Sequence, residues 1–384
     1  MTMKPLSLYL LAGEPSGDRL GAALMAGLKS LHPNIIFQGI GGPLMQAEGL
    51  NSLFPMEELS IMGLAEVLPR YFHLKRRIRE AAAAALAAQP DALITIDSPD
   101  FCLRVAKIVK TANPALRTIH YVAPSVWAWR PGRAAKMAKV IDHVLALLPF
   151  EPPYMTAAGM SCDFVGHPVV AEPLATPTEI AQLDGPPSEK PGPLILTLPG
   201  SRRGEVSRLA PVIGETLALI KAKHPHARVA LPTVRGVEAL VRDLTAAWAI
   251  QPQIITDPAL KRAAFAAADV AIAASGTVSL ELAANTCPMV IAYDMHPLTL
   301  WLMRRAALID TVTLVNLVSD TRVVPEFIGE NCRAEQIAPA VLNLLDHPQA
   351  QTEAMHLTMQ RLGQGGESPG LRAAKSVLSV LPDR

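Results

Sequence analysis

At 384 residues, half of them apolar and with a formal net charge of +1, the chain can hold two or three domains with sizeable cores. Nothing in that balance advertises nucleic acid, and no window approaches the roughly 18 uninterrupted apolar residues of a membrane span. Its four cysteines (Cys102, Cys162, Cys287, Cys332) are scattered, which argues for a reducing cytoplasm and against a zinc site.

The first apolar run, residues 6–12, meets Glu14 and Asp18 with no small-residue cleavage pattern. It reads as a strand and not as a signal peptide. A helix is expected near 20–31, a strand at 35–40 and a short helix at 43–48. Further strands fall at 92–96, 118–122 and 143–148, each followed by turn residues. This alternation predicts an α/β chain with a doubly wound parallel sheet. Between 166 and 193 seven prolines recur, a linker composition. The alternation then restarts at 194–198, 227–231, 253–256, 270–274 and 289–293. Two similar halves joined by a Pro-rich hinge follow, with further helices after about residue 346. The expected domains are 1–168, a linker at 169–192, 193–345, and C-terminal helices over 346–384.

Ligands of such sheets collect at the carboxyl ends of the strands. The first end, AGEPSGDRLG (12–21), crowds Glu14, Ser16 and Asp18 into one turn beside Gly13 and Gly17. It is neither G-x-G-x-x-G nor a Walker loop nor a G-x-S-x-G elbow. Ser16 and Asp18 suit either ligand contact or a helix cap and first-turn acid. The second end is ALITIDSPDF (92–101). Here Ser98 suits an N-cap, Pro99 the first helical position and Asp100 the first turn. Asp97 has no such structural task. It is either a general base at the mouth of a mostly apolar pocket or a turn residue bonding its own backbone.

The third end, YVAPSVWAWRPGRAAKMAK (121–139), puts Trp127 and Trp129 beside Arg130, Arg133, Lys136 and Lys139. Indole faces suit sugar rings or acyl chains, and the bases suit a phosphate; a tryptophan plug under a solvated helix is the alternative. At LPGSRRGEV (198–206) a strand breaks at Gly200 and Ser201 and opens a helix. The turn is expected to leave free backbone N–H groups for a phosphate, gripped further by Arg202 and Arg203. At SGTVSLELAA (275–284), Ser275, Gly276 and Thr277 form a small-residue turn, and Glu281 is the one charge in an otherwise apolar helix. A ribose diol would satisfy that carboxylate; so would a salt bridge to a neighbouring arginine.

Two stretches have a lipid-facing character. Residues 63–81 place Leu64, Val67, Leu68 and Phe72 among Lys75, Arg76 and other bases, in a basic amphipathic segment expected to break at Pro69. Residues 296–308 (HPLTLWLMRRAAL) form a second apolar run with Arg304 and Arg305. Inward packing of an ordinary helix is the alternative for both.

Together GEPSGD, GGPLMQAEG, APSVWAWR, LPFE, GHP, LPGSRRGEV and SGTVSLE resemble the lipid-A-disaccharide synthases, bacterial glycosyltransferases, over most of the chain. The resemblance implies a glycosyltransferase-B fold: two Rossmann-like domains facing a cleft, with 346–384 packing back on the first. It implies inverting transfer of 2,3-diacylglucosamine from UDP to the 6-hydroxyl of 2,3-diacylglucosamine 1-phosphate. No cofactor is expected, and no metal is demanded, since no Asp-x-Asp pair sits at a strand end to hold one against the diphosphate. It also implies peripheral attachment to the cytoplasmic face of the inner membrane and a homodimer. Asp97 then corresponds to the family's candidate base, Gly200, Ser201 and Arg202 to its diphosphate turn, Glu281 to its ribose acid and Asn316 to a functional asparagine. Two positions depart from the family pattern: Asp294 stands for the more frequent arginine, and Val315 for the proline before the asparagine. A UDP-sugar epimerase of the same fold and a non-catalytic sugar-phosphate binding protein are the competing readings.

Overall fold

The computed structural model describes residues 5–59, 64–184 and 192–382. The chain forms two compact units, one built up to Ala171 and again from Gly365, the other spanning Glu172–Gln364.

The first unit holds seven parallel strands: β1 (Leu6–Ala12), β2 (Ile35–Ile40), β3 (Asn51–Ser52), β4 (Ala92–Ile96), β5 (Arg117–Tyr121), β6 (His143–Ala146) and β7 (Ser161–Phe164). Their order across the sheet is β3-β2-β1-β4-β5-β6-β7. Leu8, Leu10, Leu93, Ile94 and Val144 are fully buried because helices cover both faces, which is why these strands read as continuous apolar runs. The edge strands β3 and β7 carry no such run and escape a pattern search. Strand order reverses between β1 and β4, so the turns after these two strands open side by side.

The second unit repeats the plan with β8 (Leu194–Leu198), β9 (Arg228–Pro232), β10 (Gln253–Ile255), β11 (Val270–Ala273), β12 (Met289–Tyr293) and β13 (Glu326–Ile328). The order is β10-β9-β8-β11-β12-β13, again all parallel, and the reversal falls between β8 and β11.

Three expectations need correction. The helix Leu64–Ala88 runs on through Pro69, whose place in the second turn costs one backbone bond without ending the helix. The linker region is not loop alone: Pro177–Asp184 is a helix packed on the helix Pro258–Ala267, with Glu179 paired to Arg262. Residues 346–384 do not act as one block. The helix Gln349–Arg361 belongs to the second unit, where the buried Gln351 amide bonds both backbone groups of Met289 at 2.8 and 2.9 Å. Only the helix Pro369–Ser379 packs on the first unit, against Pro15–Leu31, with Ser376 Oγ 2.8 Å from His143 Nε2.

Candidate active site

In the first unit the turns after β1 and β4 meet at Asp97. Its backbone N–H donates to Tyr121 O at 2.9 Å, and its Oδ2 accepts from Ser16 Oγ at 3.1 Å. Asp97 (φ +53°) and Ser98 (φ +41°) both lie in the left-handed region, and Val122, across the same rung, has φ +87°. A β-branched residue in that region, as Val122 is, is a genuine strain, and it adjoins two further residues with positive φ. Gly13 lets the two turns approach closely: a Cβ there would sit 2.8 Å from Ser98 Oγ, and that hydroxyl would have to move. Ser98 does not cap the helix Pro99–Ala112 as expected; its left-handed backbone turns the hydroxyl inward, where it is buried without a partner.

Asp97 lines a cavity of about 200 Å³ together with His120, Ser125 and Arg133 and an apolar wall that includes Leu103 and Met137. Burial holds His120 neutral, its pKa pushed down to about 4. Of the residues expected here, Arg133 joins Asp97 in the cavity, and Ser16 reaches it only through its bond to Asp97. Glu14, Asp100, Trp127 and Trp129 are not among its lining residues. Trp127 is held from below: its Nε1 donates to Glu151 Oε1 at 3.2 Å, and Phe150 meets it edge-on at 5.1 Å. Trp129 stacks under Arg130, 4.2 Å from its ring centre. Asp18 is structural. Buried, its carboxylate accepts from the N–H groups of Gly42, Leu44 and Met45 at 2.9–3.0 Å and caps the helix Pro43–Ala47.

In the second unit a larger cavity, about 620 Å³, opens at the carboxyl ends of β8, β9, β10 and β11. Gly200, Ser201, Arg202, Ser275, Gly276, Thr277 and Glu281 all line it. Lys261, Arg235, Thr233, Phe265, Ile255 and Pro232 are also among its lining residues, and the sequence singled out none of these. Gly200 needs its φ of +108° to make the bend, and a Cβ there would meet Glu205 Oε2 at 2.5 Å. The expected free N–H groups are not free. Those of Ser201 and Arg202 donate to Glu205 Oε2 at 3.2 and 3.3 Å, because the Glu205 side chain reaches back from the first turn of the helix Arg203–Lys221. Cationic grip at this bend therefore rests on the Arg202 side chain, which is exposed and 3.2 Å from Glu205. Glu281 pairs with Lys261 at 2.6 Å, a lysine where the salt-bridge alternative named an arginine, and Lys261 comes from the helix that Asp257 caps.

Asn316 is a correction. It is buried outside the cavity, and its amide is fully used: Nδ2 donates to Thr311 Oγ1 and Val324 O, and Oδ1 accepts from Val324 N. Its task is to pin the 311–324 loop. Asp294 lies 3.7 Å from Arg208, so an acid–base pair occupies that position.

For the lipid-facing stretches, Phe72 is 82% exposed with Lys75 and Arg76 exposed beside it, while Ile78 and the alanines beyond it enter the core. The side chains of Leu64, Val67 and Leu68 lie outside the described residues. The helix Pro297–Ala306 turns Leu298, Trp301 and Leu302 outward and only Leu300 inward, against the inward-packing alternative. No described helix is long and apolar enough to cross a membrane.

Comparison with known proteins bears on these two cavities. A sequence model of the family described as lipid-A-disaccharide synthetase matches residues 8–378. The chain belongs to the lipid-A-disaccharide synthase family. It is 61% identical to a lipid-A-disaccharide synthase of Ruegeria pomeroyi, over 98% of this chain and 96% of that one. A relative of the same name from Rhodospirillum centenum is 46% identical, over 100% and 96%. Among solved structures, the glycotransferase of kitacinnamycin superposes with a TM-score of 0.65 at 15% identity, covering 99% of this chain and 100% of that one. The UDP-GlcNAc 2-epimerase from Neisseria meningitidis gives 0.61 at 12%, covering 99% of each. At such identities these likenesses speak to fold alone, and the fold is that of glycosyltransferase-B proteins, as the resemblance implied.

Proposed function

We propose that this member of the lipid-A-disaccharide synthase family transfers 2,3-diacylglucosamine from UDP to the 6-hydroxyl of 2,3-diacylglucosamine 1-phosphate. The observation that carries the reading is the 620 Å³ cavity, where Glu281 stands among Arg202, Arg235 and Lys261 beside an apolar wall; of the other two carboxylates that line it, Glu205 accepts from the N–H groups of the 200–202 bend and Asp257 caps its helix. That set suits a nucleoside diphosphate. Glu281 accepts from the ribose diol, Pro232, Ile255 and Phe265 flank the base, and Arg202 and Lys261 balance the diphosphate.

Asp97 takes the proton of the acceptor's 6-hydroxyl. The oxygen attacks the anomeric carbon from the face opposite the leaving group, the bond from that carbon to the β-phosphate oxygen breaks, and UDP departs with the electron pair. The product is a β-1,6-linked disaccharide, inverted at the reacting carbon. The negative charge gathering on UDP is what Arg202 and Lys261 stabilise. Ser16 donates to Asp97 and orients its carboxylate for this task. No step calls for a metal. Phe72, Lys75 and Arg76 form a lipid-facing patch that brings the enzyme to the cytoplasmic face of the membrane where both substrates reside.

The test is direct. Purified protein is mixed with the UDP-linked donor and the monosaccharide acceptor, and products are read by mass spectrometry. Disaccharide and UDP in equal amounts are expected; a C2 epimer of the donor sugar, or no product, overturns the reading.

A further inference from the structure

His120 is the polar group of the Asp97 cavity that the chemistry above leaves idle. It lies on β5 opposite Thr95 of β4, one residue before the Ile96–Tyr121 pair from which Asp97 hangs. The side chain is 2% exposed, yet it lines the cavity. Its Nδ1 is 2.7 Å from Thr95 Oγ1, and that hydroxyl donates its single proton to Ile119 O at 3.2 Å. With the Thr95 proton on Ile119 O, Thr95 offers Nδ1 a lone pair, and in that arrangement Nδ1 carries the ring proton. Burial keeps the imidazole neutral. Its Nε2 is left as a bare acceptor with no hydrogen-bond partner among the described residues.

Lining the cavity, that nitrogen is open to a donor on a bound ligand. Arg133 aside, the cavity is built for a neutral sugar face, and the proposed acceptor supplies few donors. Its ring carries phosphate at C1 and acyl groups at C2 and C3, so only the hydroxyls at C4 and C6 remain. C4 and C6 flank C5, and their oxygens project from the same end of the ring. Two proton-accepting groups, Asp97 and His120, share one cavity in the same way.

We propose that His120 Nε2 accepts a hydrogen bond from the acceptor's 4-hydroxyl, which fixes the sugar with its 6-hydroxyl on Asp97. Thr95 is then a positioning residue that sets the tautomer. The cavity thereby reads the configuration at C4. The inference rests on the transferase reading above.

The experiment compares the 4-hydroxy acceptor with its 4-deoxy analogue, in wild type and in His120→Phe. Loss of one neutral hydrogen bond, with its partner left buried, corresponds to about tenfold in kcat/KM. Wild type is expected to favour the 4-hydroxy acceptor by that factor. His120→Phe should lower the 4-hydroxy rate to the 4-deoxy level, lower the 4-deoxy rate no further, and leave UDP affinity unchanged. Wild type that makes disaccharide without distinguishing the two acceptors overturns the proposal. So do losses that multiply when variant and analogue are combined. If wild type makes no disaccharide from either acceptor, it is the transferase reading that fails. Should His120→Phe not fold, ¹⁵N spectra of histidine-labelled wild type decide between the tautomers. The proposal requires a proton on Nδ1 and an unprotonated Nε2 whose resonance shifts when glucosamine 1-phosphate is added. A proton on Nε2, or no shift, overturns it.

Discussion

Ser16 Oγ donates to Asp97 Oδ2 at 3.1 Å, joining the turn after β1 to the turn after β4 at the point where strand order reverses. One oxygen of the carboxylate is thus held, and the other is left for substrate. Asp97→Asn keeps the size and the bond geometry but removes the base, so turnover should fall by about 10² to 10⁴. UDP binding should be retained, since the nucleotide cavity lies in the other unit. Ser16→Ala loses orientation only and should cost about tenfold in turnover. Equal losses for the two variants, or loss of UDP binding by calorimetry in either, would argue that the turn is structural.

Glu281 and Lys261 form a pair at 2.6 Å with both side chains partly exposed, so the pair itself adds little stability. Its use is to hold the carboxylate toward the cavity. Glu281→Ala should weaken UDP about tenfold to a hundredfold, the cost of losing hydrogen bonds to a charged acceptor. The melting temperature should scarcely move. Unchanged UDP affinity would remove Glu281 from the site.

The legible part of this protein is its strands and the turns that follow them. Apolar runs such as Leu194–Leu198 are buried on both faces, and that double burial makes them readable. The same reading placed Asp97 and Gly200 at strand ends and Glu281 in the helix that follows one, and the topology then brings them to cavities. What the sequence hid is what depends on partners far along the chain. Lys261 and Phe265 reach the nucleotide cavity from a helix whose own pattern is ordinary, and His120 looks like any residue of a buried strand. The N–H groups of the 200–202 bend looked open because nothing in the local pattern marks Glu205, a first-turn acid of the next helix, as their acceptor. Asn316 drew a functional role by resemblance, whereas its amide is spent on the 311–324 loop.

Asp18 sits inside the GEPSGD motif yet spends its carboxylate on three backbone N–H groups of another helix. Asp18→Ala strands those donors in a buried site and should cost about 3 kcal/mol. Urea unfolding of the first unit measures it, and UDP binding by the second unit should survive. A loss under about 1 kcal/mol would mean that water replaces the carboxylate.

Phe72 is 82% exposed in the third turn of a helix whose later turns are core. A large aromatic beside exposed Lys75 and Arg76 fits an anionic lipid surface better than water. Phe72→Glu should reduce sedimentation with phosphatidylglycerol vesicles several-fold, and rising salt should weaken the wild-type interaction. Vesicle binding that ignores both changes would remove this patch from the membrane.

Glu151 ties the tryptophan loop to β6. Its Oε2 accepts from the N–H groups of Leu147 and Leu148, and its Oε1 accepts from Trp127. Burial nevertheless dominates, and its carboxyl is raised to about 7. The native protein therefore keeps this proton between about pH 4.5 and 7, where the unfolded chain has released it. Stability from this group is fully present below about pH 4.5 and is lost as pH climbs toward 7, by up to about 3 kcal/mol. Glu151→Gln is neutral throughout. With its oxygen facing Leu147 and Leu148 it loses the Trp127 bond, a cost of about 1 kcal/mol at every pH. The variant should be the less stable protein in acid and lose this slope, so that its stability curve meets or crosses the wild-type curve before pH 7. Urea unfolding across that window, followed by tryptophan fluorescence, measures the difference. Parallel curves would place the carboxyl of residue 151 in its ionised form throughout and leave the tryptophan loop without a pH dependence.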